Sequence, residues 1–125
     1  MAEYIEKLYD VEKVPAADDM TMAGAVTAMI TVTAAGDYKQ GEILMKQGDS
    51  FVKATESGIT NAEELCIMCD DFTLDDGMTA RTLAYFSGNM NGKRLYLNGE
   101  LLSMYEESER ESVIGALRKH KIFVR

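Results

Sequence analysis

Short apolar runs separated by turn residues make up most of the chain after residue 25. The runs are rich in β-branched and aromatic residues, which suit the pleated surface of a β-strand. They cover residues 26–33, 42–46, 50–54, 64–70, 79–87 and 94–97. Turn residues stand between or after them at 36–37, 47–49, 75–77, 88–92 and 98–99. The pattern predicts a succession of short strands, with a hairpin across residues 47–49.

One segment near the C-terminus has helical periodicity. Val113, Ile114 and Leu117 form an apolar stripe of the kind that packs on a core. The run from Ser103 to Glu106 matches a capping box, and acidic residues precede basic ones along the segment, in agreement with the helix dipole. Residues 122–124 then predict a final strand. The fold class is therefore mainly β: a compact, β-rich, partly closed barrel or sandwich with one short C-terminal helix.

The first 23 residues differ from the rest of the chain. Their large apolar residues are separated by charges: Tyr4, Ile5, Leu8, Tyr9 and Val11. Pro15 and a small-residue stretch follow. Such a segment forms either a short helix or an arm that becomes ordered only against a partner, and the mixed charge favours the arm. We divide the chain into an arm, residues 1–23, and a β-rich domain, residues 24–125.

The charge balance restricts the partners. The formal net charge is −8, from 21 acidic and 13 basic side chains. This excess repels phosphate backbones, so we expect no direct nucleic-acid partner. No stretch approaches the roughly 20 continuous apolar residues of a membrane span, and the start of the chain lacks the basic and apolar regions of a signal peptide. We expect no membrane partner, synthesis in the cytoplasm and reduced cysteines.

Few residues have the spacing of a chemical site. Cys66 and Cys69 form a C-x-x-C pattern, but a zinc site needs two further ligands and His120 is the only histidine. Residues three apart in a strand point to opposite faces, so core packing is favoured over metal binding. His120 stands near the expected helix end, where it acts as a C-terminal cation. The acidic segment 70–77 lacks the order of an EF-hand loop and predicts a solvated turn.

No nucleophile or acid–base motif is present, so the sequence predicts a protein that is not an enzyme and that needs no cofactor. One alternative remains from the residues themselves. Met45-Lys46 falls in the predicted hairpin, like the modified lysine of biotinyl domains, although its flanking residues differ from that motif. A small biotinyl- or lipoyl-like carrier, or another β-rich binding domain, is therefore the second hypothesis.

Several short segments follow one another in an order known from one protein family. They are Gly41–Leu44, Glu63–Asp71, Ala84–Asn91, Leu95–Leu97 and Ala116–Val124. This order resembles the phage lambda head decoration protein family, in which a "G-x-I-L" step, an "A-x-G-I-L" strand and a "G-x-x-N" step precede an "A-L-R" helix and a "G-I-x-V" strand. The chain departs at Cys66-Ile67, where alanine-glycine is usual, and at Lys121, where glycine often precedes the last strand.

The resemblance implies a non-enzymatic virion protein encoded by a phage or prophage. Its members bind the outer surface of the expanded phage head as a homotrimer and stabilise the capsid against internal DNA pressure. The implied partners are the major capsid protein and further copies of this chain. The resemblance also implies that the N-terminal arm contacts the capsid, which makes its apolar side chains the candidate capsid-binding residues: Tyr4, Ile5, Leu8, Tyr9 and Val11.

Overall fold

Strands account for most of the regular structure. The computed structural model describes residues 25–125. Its strands are β1 (Val26–Val32), β2 (Gly36–Tyr38), β3 (Ile43–Gln47), β4 (Ser50–Lys53), β5 (Leu65–Met68), β6 (Phe72–Leu74), β7 (Ala80–Met90), β8 (Tyr96–Leu97), β9 (Glu100–Leu101) and β10 (Ile122–Val124). The helices are α1 (Glu56–Ile59) and α2 (Glu107–Lys119), with 3-10 turns at Gly92–Arg94 and Leu102–Met104.

Five strands form a partly closed barrel. Their order is β1-β4-β3-β5-β7, and β7 then pairs with β1. The β1–β7 pairing is antiparallel and extends along the whole of β1. By contrast, β4 runs parallel to β1 and pairs with it only through Val32 and Phe51. β10 pairs in parallel with the last three residues of β7. The prediction of a mainly β, partly closed barrel with one short C-terminal helix is confirmed.

The core has two parts, separated by the barrel wall. One cluster fills the barrel and contains Ile30, Val32, Leu44, Phe51, Cys66, Met68 and Ala84. The other lies between the outer face of the wall and the C-terminal elements, and contains Ile43, Leu65, Ile67, Tyr85, Leu95, Leu97, Val113, Leu117 and Ile122. Successive residues of β5 alternate between the clusters, because side chains along a strand point to opposite faces. The central strand is thus buried on both faces.

Two predicted turns are strands in the structure. Gly36-Asp37 belongs to β2, which pairs with β6 through Gly36↔Leu74 and Tyr38↔Phe72. Residues 88–90 continue β7, because β10 supplies a parallel partner for them. Local turn chemistry identified both glycines correctly as special positions, but it contained no information about the partner strand. The Asn98-Gly99 turn is confirmed: both residues have positive φ, and they join β8 to β9.

The predicted capping box is wrong, although the helix itself is confirmed. α2 begins at Glu107, its N-cap is Glu106, and no side chain caps it. Ser103 lies instead in the preceding 3-10 turn, where burial of Leu102 fixes the chain direction. The sequence also failed to predict α1, whose four residues are too few for a periodic pattern. Thr55 caps α1, since its hydroxyl accepts a hydrogen bond from the Gly58 N–H at 3.0 Å.

Three positions of the recognised motifs have left-handed backbone. Gly41 has φ 96°, Gly88 has φ 126° and Lys121 has φ 67°. A Cβ atom at Gly88 would also lie 2.8 Å from the Cα of Ala25, so only glycine fits there. Lys121 follows the C-cap residue of α2, His120. Its N–H donates to the Arg118 carbonyl at 3.0 Å, and its carbonyl accepts from the Gly88 N–H at 3.1 Å. These bonds hold a non-glycine residue in a conformation that favours glycine.

Candidate functional site

Two adjoining surface grooves meet at Lys93. The first has a volume of about 410 Å³ and is lined by Lys39, Gln40, Asp71, Lys93, Arg94, Tyr96 and Leu101. The second has a volume of about 380 Å³ and is lined by Gly92, Lys93, Leu102, Ser103, Arg110, Ile114, Val124 and Arg125. We call the surface formed by both grooves the Lys93 surface. Both grooves are open to solvent and are large enough for a few side chains of a partner.

The Lys93 surface is cationic in an acidic protein. Residues 25–125 contain 11 of the 13 Lys and Arg residues of the chain, since only Lys7 and Lys13 precede them. Five of these 11 side chains line the grooves: Lys39, Lys93, Arg94, Arg110 and Arg125. Asp71 is the single carboxylate of the lining, and its Oδ1 already accepts a hydrogen bond from the Gln40 N–H at 2.6 Å. Arg110 and Arg125 already have interaction partners, so the positive charge available to an anionic group comes from Lys39, Lys93 and Arg94.

The backbone that carries Lys93 and Arg94 is fixed by its neighbours. Asn91 Oδ1 accepts a hydrogen bond from the Lys93 N–H at 3.0 Å. The Gly92 N–H donates to the Arg125 carbonyl at 3.2 Å. Between residues 25 and 125, no carboxylate forms an ion pair with Lys93 or Arg94. Two cations without an ion-pair partner among the described residues thus stand on an ordered turn, an arrangement that suits carboxylate binding.

Tyr96 separates the groove from the barrel. Its N–H donates to the Gly41 carbonyl at 2.9 Å, which joins β8 to the segment before β3. The Lys39 ammonium lies 5.0 Å from the centre of the Tyr96 ring. This cation–π contact at an exposed position contributes about 0.5–1 kcal/mol. It keeps the Lys39 charge at the mouth of the groove.

The buried carboxylate of Glu42 positions the β8–β9 hairpin, which carries Tyr96. Glu42 is 1% exposed, and its Oε2 accepts a hydrogen bond from the Gly99 N–H at 3.0 Å. Its Oε1 lies 3.8 Å from the Lys53 ammonium and has no hydrogen-bond donor within the described residues. Burial raises the pKa of the neighbouring Tyr38, and the Glu42 charge raises it further. Glu42 therefore acts as a positioning residue: it binds the turn between β8 and β9, and these two strands carry Tyr96 and Leu101 into the groove.

The predicted capsid-binding residues, Tyr4, Ile5, Leu8, Tyr9 and Val11, lie outside the described residues. So does the whole of the predicted arm, residues 1–23.

The two cysteines lie in different core clusters, as their spacing predicted. Cys66 faces the barrel interior and Cys69 faces the outer cluster, and both are free thiols. Burial raises the pKa of the Cys66 thiol. Burial also raises the pKa of Cys69 to about 12, against a smaller opposite effect of its hydrogen bond with Tyr85. Thiols with such pKa values remain protonated at neutral pH and are poor nucleophiles. His120 caps α2, where its N–H donates to the Leu117 carbonyl at 2.9 Å.

Lys46, the lysine of the carrier hypothesis, lies in β3 before the hairpin turn. Its ammonium is 3.1 Å from Glu64 Oε2 and 3.8 Å from Glu63 Oε1. The hydrogen bond with Glu64 raises the pKa of Lys46, and both carboxylate charges act in the same direction. A lysine engaged in this way is neither presented at the tip of the hairpin nor easily deprotonated. The surroundings of Lys46 therefore disfavour its modification.

The Lys93 surface was not predicted from the sequence. Its cations come from positions 39, 93, 94, 110 and 125, and only the adjacent pair Lys93-Arg94 was visible as a cluster. Comparison with known proteins adds no identification: no protein-family model and no curated protein sequence matches the chain. Of the helices between residues 25 and 125, none combines the length and the apolar character needed to cross a bilayer.

Proposed function

We propose that this chain is a phage head decoration protein of the lambda-like kind. It binds the outside of the expanded head as a homotrimer and stabilises the shell without catalysing a reaction. The proposal rests on the resemblance of the ordered motifs together with one structural observation, the backbone at their glycine positions. The observed β-rich fold with a short C-terminal helix is also the fold that the resemblance implies.

The carrying observation is the left-handed backbone at position 121. The family often has glycine there, and Lys121 has φ 67° although it is not a glycine. Gly41 and Gly88, the glycines of two other motifs, also have positive φ, and Gly88 has no room for a Cβ atom. Left-handed backbone after a helix C-cap is common in any fold, so the support comes from the agreement of all three motif positions together. This agreement supports an equivalent backbone path.

The motifs also meet in space, which a list of unrelated short matches does not require. The Gly88–Asn91 step pairs in parallel with the strand that follows α2. One motif departs from the family in its residues: in β5, Cys66 and Ile67 stand where alanine-glycine is usual. Both side chains are fully buried in a regular strand, so the core accommodates residues larger than alanine and glycine at these positions.

A decoration protein acts through linkage. A protein that binds the expanded shell more tightly than its precursor shifts the shell toward the expanded state. Repeated weak contacts over many copies add through multivalency. The acidic surface of the chain disfavours binding to the packaged DNA. Binding to the shell requires contacts from the arm and the domain surface but no reactive group. This fits a domain whose two thiols are buried and unreactive.

The test is co-sedimentation of the full chain with expanded and unexpanded shells of the phage that encodes it. We expect binding to expanded shells, much weaker binding to unexpanded shells, and a higher rupture temperature of the decorated shell. Replacing Tyr4, Ile5 and Tyr9 by serine should weaken binding, whereas the control His120→Gln should not. A reconstruction should place three copies around a three-fold axis. Equal binding to both shells, or an unchanged rupture temperature, would contradict decoration.

A further inference from the structure

The first 24 residues carry half of the net negative charge of the chain. They contain six carboxylates and two lysines, a balance of −4 out of −8. The Lys93 surface has the opposite charge, with five cations and one carboxylate in its lining. Asp18 and Asp19 are adjacent and are the acidic residues nearest in sequence to the β domain. Charge complementarity therefore relates the segment before residue 25 to this surface.

The described chain starts within reach of the surface. Ala25 lies against Gly88, since a Cβ atom at Gly88 would be 2.8 Å from its Cα. Gly92 follows Gly88 by four residues, which is at most about 13 Å along a strand. Asp18 precedes Ala25 by seven residues, and that length of chain spans up to about 25 Å. The carboxylates of Asp18 and its neighbour can therefore reach Lys93 of the same chain.

We propose that Asp18 and Asp19 bind the Lys93 surface of their own chain, with their carboxylates against Lys93 and Arg94. A segment tethered this closely has an effective concentration in the mM range, so the ion pairs populate the contact when their combined Kd also lies in that range. Exposed ion pairs contribute little individually and are screened by salt. The contact is therefore salt-sensitive and reversible, and it holds the domain-proximal end of the arm against the domain. It does not depend on the decoration function, because both sides belong to one chain.

A spin label beside the two aspartates tests the contact in the full chain. Ala17→Cys can be labelled with a nitroxide at neutral pH, because Cys66 and Cys69 are buried and protonated. In ¹⁵N-labelled protein at low salt, we expect the amide signals of residues 92–94 to lose intensity, while those of β3 keep theirs. At about 1 M salt, where the screening length is about 3 Å, the intensities should recover.

Charge reversal identifies the partners. In the variant Lys93→Glu with Arg94→Glu, the loss of intensity should disappear. Adding Asp18→Lys and Asp19→Lys to that variant should restore it, because the charges are again complementary. If the segment were near residues 92–94 only because it is tethered there, the loss of amide intensity would be equal in all three proteins. That result would overturn the proposal.

The matched control reverses two cations outside the surface, Arg118→Glu with Lys119→Glu in the last turn of α2. It changes the net charge equally and should leave the signals of residues 92–94 attenuated. Mixing spin-labelled ¹⁴N chains with unlabelled ¹⁵N chains distinguishes the source of the segment. Attenuation in the mixture would show that a second copy is bound, and it would overturn the intrachain contact. Absence of attenuation at low salt in the original chain would do the same.

Discussion

Glu42 offers the clearest test of how burial decides the strength of an ion pair in this protein. Two of the three Glu–Lys pairs in the described β3–β4 region differ in both distance and burial. The Lys46–Glu64 pair is short, 3.1 Å, but the Glu64 side chain is 44% exposed. The Lys53–Glu42 pair is longer, 3.8 Å, but the Glu42 side chain is 1% exposed. Distance alone ranks Lys46–Glu64 as the stronger pair, whereas burial and the bond to Gly99 rank Glu42 as the more important carboxylate.

We expect Glu42→Leu to lower the free energy of unfolding by about 1.5–3 kcal/mol. This is the range for a hydrogen bond to a charged group, and the Gly99 N–H loses its acceptor. The control Glu64→Leu should cost at most about 1 kcal/mol, since solvent screens the exposed pair. Glu42→Gln keeps an acceptor for Gly99 and should fall between them. For a domain of this size, each kcal/mol corresponds to about 4–8 °C in Tm.

Urea unfolding followed by circular dichroism gives these free energies by linear extrapolation. Lys53→Met completes a double-mutant cycle. Alone it leaves a buried carboxylate oxygen without its cation, whereas in the Glu42→Leu background it removes only the cation–π contact of Lys53 with the Tyr38 ring. We therefore expect a coupling of about 0.5–3 kcal/mol between the two changes. If Glu42→Leu costs no more than Glu64→Leu, or if the two changes are additive, burial does not determine the importance of this carboxylate.

Three further results are expected. Lys121→Gly should raise the free energy of unfolding by up to about 1 kcal/mol by relieving the left-handed backbone. The same change at Lys119, the last residue of α2, should lower it by up to about 1 kcal/mol, and thermal scans that rank the two variants the other way would contradict this. Gly88→Ala should cost about 1–3 kcal/mol in urea unfolding, and unchanged stability would mean that the backbone can move there. Because the thiols of Cys66 and Cys69 have raised pKa values, the native state keeps protons that the unfolded state loses above about pH 8.5, so stability should fall as pH rises through that value. This fall should be shallower when both cysteines are replaced by alanine, and an equal slope would assign it to other groups.

The strands and the main helix were predictable because their signals are local. β-branched runs and glycine-containing turns fixed β1, the β3–β4 hairpin and the body of β7, and the apolar stripe of α2 fixed the face that is buried. The period of two along a strand was enough to separate Cys66 from Cys69. Even the special status of Gly88 and Lys121 was visible, since the motifs marked both as glycine positions.

Pairing and burial of polar groups were decided by the tertiary structure. No local pattern shows that residues 88–90 continue a strand, because the partner is β10, more than thirty residues later. Nor does it show that Glu42, in a polar stretch, is buried beneath the β8–β9 turn. The Lys93 surface combines cations from five separate positions that only long-range packing brings together. Sequence periodicity determines which face of an element is apolar, whereas the meeting of distant side chains depends on how the elements pack.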